Sequence, residues 1–134
     1  RDRALHDLPP LDEAILVLRY DGRLYFANTA HFARAVDEHL AATPQARWVL
    51  LAGDGLNEVD ATGAEALRDL HSRLSESGIG LAFVDLKAPV HDTLERAGLI
   101  ALVGIDRCYR TIDAALESLR EVLNPDDAPA EKRI

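Results

Sequence analysis

Residues 47–70, RWVLLAGDGLNEVDATGAEALRDL, constrain the fold more than any other stretch. Trp48, Val49, Leu50, Leu51 and Ala52 form an unbroken apolar run of strand length. A strand that is apolar on both faces lies between two layers of other structure. Gly53, Asp54 and Gly55 end it, because glycine and aspartate accept turn geometry that Val and Leu do not. A helical pattern follows, with Ala64, Leu67, Leu70 and Leu74 on one side. Its start, Thr62-Gly63-Ala64-Glu65, fits a capping box in which the threonine hydroxyl takes an orphan N–H and Glu65 reaches back. Asp60 is the alternative cap, with Thr62 then in the first turn. Either way a hydroxyl sits at the positive end of a helix that follows a central strand. In open α/β sheets, sites collect there.

The rest of the chain repeats the alternation. Residues 1–13 carry Pro9 and Pro10 among charges and read as a stiffened linker entering the domain. Residues 14–20 read as the first strand, Asp21-Gly22 as a turn, and Leu24-Tyr25-Phe26 as a second, antiparallel strand. Asn28 or Thr29 caps a helix running to about Ala42, with Phe32, Val36 and Leu40 on one face. After the central strand and its helix, which closes at Ser77-Gly78, residues 81–84 read as another buried strand. Pro89 opens a third helix with Val90, Leu94 and Ala97 inward. Residues 99–103 read as a loop or short 3₁₀ turn, and 107–110 as a short last strand. Thr111 starts a helix marked by Ile112, Ala115, Leu116, Leu119 and Leu123. Residues 124–134 read as a disordered tail. The expectation is one α/β domain over residues 14–123, a mixed, mostly parallel sheet flanked by about four α-helices.

Charge narrows the partners. The formal net charge is −8, which opposes nucleic acid and anionic lipid alike. No apolar run approaches the ~20 residues that span a bilayer. The chain holds no methionine and starts at Arg1, so a processed protein or a piece of a longer one is expected. Aromatic content of 5% leaves the core to Ala, Val, Leu and Ile.

Catalytic chemistry finds little support. Gly53 and Gly55 give GxG without a third glycine at fingerprint spacing, and no GxxxxGK[ST] occurs, so turn chemistry outweighs a phosphate cradle. A loop that makes weak contact with a nucleotide is left open. His6, His31, His39, His71 and His91 form no zinc-type spacing. Cys108 lies between Arg107 and Arg110, which would lower its pKa, yet without a base it reads as a small buried thiol. No nucleophile, base and orienting group fall together, so no enzyme, metal or cofactor is expected.

Two segments carry a resemblance. Glu58-Val59-Asp60-Ala61-Thr62-Gly63 after an apolar strand resembles the D-[SAT]-[ST]-G signature of STAS domains. Residues 18–28, LRYDGRLYFAN, resemble the R-x-D-x-x-L-[FY]-F-A-N segment of the branch found in SulP-type anion transporters of the sulfate permease family. The likeness implies a STAS-like fold and a non-catalytic regulatory or interaction domain. It would lie on the cytoplasmic face of the cell membrane, below a transmembrane domain that precedes residue 1. It further implies that this transmembrane domain is a partner, that the full-length transporter is a homodimer and that a soluble regulatory protein can bind. In the other branch, the anti-sigma-factor antagonists, the second hydroxyl of the signature is a phosphoacceptor. That position is Thr62 here, while Ala61 has lost the neighbouring hydroxyl. A free-standing phospho-switch is therefore the alternative. As the working surface we expect the loop from Gly53 to Asp60 and the following helix start, with Asp54, Asn57, Glu58 and Asp69 pointing outward as an acidic rim.

Overall fold

The computed structural model describes residues 5–7 and 13–125. Within them the strands are β1 (Leu5–Asp7), β2 (Ile15–Tyr20), β3 (Gly22–Leu24), β4 (Trp48–Ala52), β5 (Leu56–Val59), β6 (Gly80–Val84) and β7 (Cys108–Tyr109). The helices are α1 (Thr29–Ala41), α2 (Ala61–Glu76), α3 (Ala88–Arg96), α4 (Leu99–Val103) and α5 (Ile112–Leu123). Five strands form the main sheet in the order β1-β2-β4-β6-β7. β1 is antiparallel to β2; the other pairs are parallel.

β4 is apolar throughout because the sheet is covered on both sides. Val49 and Leu51 point into a core shared with α1, α2, α3 and α4, through residues such as Phe32, Leu67, Leu94 and Leu99. Leu50 and Ala52 point the other way, into a smaller core closed by Ala115, Leu116 and Leu119 of α5. Each fully buried aliphatic side chain here contributes about 1.5–3 kcal/mol of hydrophobic stabilisation. α2 ends in a Schellman motif: Gly78 takes φ +75°, its N–H bonds the Ser75 carbonyl at 3.0 Å and Ile79 bonds Leu74 at 2.8 Å.

Several elements differ from the sequence reading. The N-terminal segment expected as linker contributes β1, whose Leu5 is buried in the main core. That edge strand supplies the antiparallel pairing. The second strand ends at Leu24, not Phe26, and pairs in parallel with β5 as a separate two-stranded sheet. β5 itself occupies the segment read as a loop. Its ends, Leu56 and Val59, are buried and its middle exposed, a pattern without the alternation that marks longer strands. Residues 99–103 form a short α-helix because Leu99 and Ile100 are drawn into the core. Ala97, expected inward, is exposed because α3 ends at that residue. Residues 126–134, read as a tail, lie outside the described residues, as do 1–4 and 8–12 of the linker.

Candidate functional site

The start of α2 is built by three segments meeting at Asp60. The small β3–β5 sheet brings Leu24 and Val59 side by side, so the chain leaves both strands at one point. There the Asp60 N–H bonds the Leu24 carbonyl at 3.2 Å. One carboxylate oxygen of Asp60 accepts the Gly63 N–H at 2.7 Å; the other accepts the Phe26 N–H at 3.3 Å. Asp60 is therefore the N-cap, and the capping box centred on Thr62 does not form. The reason is position: Thr62 is the second residue of the helix and is exposed, whereas Asp60 has the extended backbone that a cap needs. Gly63 lies against the Leu24 carbonyl so closely that a Cβ would collide with backbone.

The turn between β3 and α1 is fixed from the other side by Asn28. Its Oδ1 accepts the Tyr25 N–H at 3.0 Å, and its Nδ2 donates to the Tyr20 hydroxyl at 2.9 Å and the Arg23 carbonyl at 2.7 Å. Tyr20 in turn packs edge-on against buried Phe32, with ring centroids 5.4 Å apart. The Arg23 guanidinium stacks 3.9 Å above the Tyr25 ring and lies 3.7 Å from Glu58. Held this way, Phe26 projects into solvent with 72% of its surface exposed. Exposed Ala27, Ala61 and Thr62 belong to the same junction of turn and helix start.

Asp54, Asn57, Glu58 and Asp69 are all exposed, as expected. They do not form one bare acidic rim. Asp54 lies 3.5 Å from Arg19, Asn57 accepts from Lys87 at 2.6 Å, and Glu58 faces Arg23. Asp69 sits apart on α2. Sequence reasoning passed over Phe26 and Asn28 as site residues and missed the close approach at Gly63. The LYFAN segment was the available signal for the first two.

Two adjoining open clefts, about 360 and 400 Å³, lie at the carboxyl ends of the parallel strands and share Asp85 and Arg110. Asp85 has φ +58° there. His91 and Cys108 line one cleft, Arg19 and Asp54 the other. Burial pushes the Cys108 thiol pKa up, opposite to the lowering expected from the two flanking arginines. On α3, His91, Asp92 and Glu95 bring one ligand-type atom each within 4.8 Å of one another. The helical spacing of His91 and Glu95 accounts for this meeting, which zinc-type spacing rules do not look for.

Comparison with known proteins gives a consistent picture. The family model described as STAS domain matches residues 10–115. A relative named probable sulfate transporter Rv1739c, from Mycobacterium tuberculosis, is 30% identical over 122 residues, covering 87% of this chain and 22% of the relative. The chain thus spans about a fifth of the length of the curated relatives it matches. Among solved structures, a sulfate transporter family protein from Wolinella succinogenes superposes with a TM-score of 0.73 at 21% identity, over 86% of this chain and 90% of the other. The anti-sigma factor antagonist SpoIIAA in its unphosphorylated form superposes with a TM-score of 0.69 at 13% identity, over 87% and 96%. Both structural likenesses speak to the fold.

Proposed function

Since this chain belongs to the STAS domain family, we propose that it serves as the non-catalytic regulatory and interaction domain of an anion transporter of the sulfate permease family. The observation that carries the reading is Phe26. A large apolar side chain, 72% exposed, stands on a turn fixed by Asp60 and Asn28 rather than on a loose loop. An exposed aromatic on a turn whose backbone is already hydrogen-bonded suits a protein contact, since less backbone ordering is left to cost on binding. Relatives named as sulfate transporters, about five times longer, supply the context. The domain then sits at the cytoplasmic face of the cell membrane and acts by packing against the membrane part of the same protein, within a homodimer, or against a soluble regulator.

The test is anion uptake by the full-length transporter. Phe26→Ser is expected to change uptake or assembly while the unfolding midpoint of the isolated chain stays near wild type. Unchanged uptake and assembly would remove Phe26 from the working surface. A second reading, a phospho-switch at Thr62, is favoured by the exposure of that residue in the first turn of α2, where added phosphate meets the positive helix end. Mass spectrometry of the protein recovered from cells is expected to find phosphate on Thr62 if this reading holds; no phosphate at residue 62 would set it aside.

A further inference from the structure

We infer that Phe26 and the solvent face of α2 form a docking strip for a basic cytoplasmic loop of the transporter's membrane part, an inference that rests on the reading above. Thr62, Glu65 and Asp69 are spaced by three and four residues, so they share one face of α2, and all three are exposed. Phe26 sits at the head of that face through its N–H bond to Asp60. The strip is therefore an apolar knob followed by two carboxylates along a helix. The nearest basic side chain on α2, Arg68, is drawn elsewhere: its guanidinium donates to the Ala97 carbonyl at the end of α3 and approaches Glu65 only to 3.8 Å. Asp69 has no ion-pair partner among the described residues.

Charge complementarity selects the occupant. The chain carries −8 overall, so anionic lipid and nucleic acid are repelled. Cytoplasmic loops of membrane proteins carry an excess of lysine and arginine. Relatives of transporter length place about four fifths of their chain outside the matched region. A loop that offers an apolar residue to Phe26 and cations to Glu65 and Asp69 satisfies both halves of the strip, and the charges set encounter and register.

The experiment titrates the isolated chain with a synthetic amphipathic Lys/Leu peptide and with its Glu/Leu counterpart, read by amide NMR shifts. Shifts from the Lys/Leu peptide should concentrate at residues 24–28 and 58–69. Binding should weaken about tenfold on going from low salt to ~0.3 M. Asp69→Lys and Phe26→Ser should each weaken it about fivefold. Asp92→Lys on α3 makes the same change in net charge and should leave it nearly unaltered. Equal loss with Asp92→Lys, equal binding of the Glu/Leu peptide, or shifts centred on another face would overturn the inference. If Phe26→Ser disturbs the full-length transporter while the isolated chain ignores the basic peptide, the interaction-domain reading stands and this partner is removed.

Discussion

Asp60 and Thr62 are two residues apart and do different work. Asp60 holds the helix start and the Phe26 turn at once, so Asp60→Ala should cost about 1–2 kcal/mol in denaturant titration. Thr62→Ala, which removes an exposed hydroxyl from the first turn, should stay within about 0.5 kcal/mol. The reverse ranking would restore threonine as the cap. Gly63→Ala places a methyl group against the Leu24 carbonyl and should destabilise by more than about 2 kcal/mol; a variant as stable as wild type would mean the two strands and α2 can move apart freely. At Cys108 burial raises the pKa. Less thiolate is then present at mildly alkaline pH than for a free cysteine, so alkylation should be slower and should accelerate only at higher pH. A rate equal to that of a model thiol would show the flanking arginines winning instead.

Elements were legible where the chain is regular. β4, β6, α2 and α5 carry unbroken apolar runs or a full helical period, and they form where expected. β1 and β5 escaped because three or four residues are too few for a period, and their partners are distant in sequence. The signature DATG marked the right helix start and left two caps open, Thr62 and Asp60, since a capping box and an aspartate cap overlap in these residues; the extended backbone of Asp60 decides for the aspartate. The acidic surface was half legible: exposure follows from composition, but the pairing of Asp54 with Arg19 and of Asn57 with Lys87 depends on loops that meet only in the fold. β1 yields a direct test at this scale. Leu5 is 3% exposed, so Leu5→Ala should cost about 2–4 kcal/mol in urea. A loss below ~0.5 kcal/mol would return the segment to the role of linker.

Among the described residues, four helices lie on one face of the sheet and one on the other, and the exposed groups held by a hydrogen-bonded backbone gather at the head of α2. That hold comes from Asp60, Asn28 and Gly63, none of which needs to touch a partner. The knob they present, Phe26, meets the Tyr25 ring edge-on with centroids 5.5 Å apart, yet keeps 72% of its surface exposed. The account's central claim is that this head is covered in the full-length transporter proposed to carry the chain. Thiol labelling of Thr62→Cys measures that cover most directly, with half-buried Cys108 as an internal slow reference. The isolated chain should label quickly at residue 62, and the full-length transporter about tenfold more slowly, with Phe26→Ser restoring the fast rate. Equal labelling rates in the isolated chain and the full-length protein would contradict the claim.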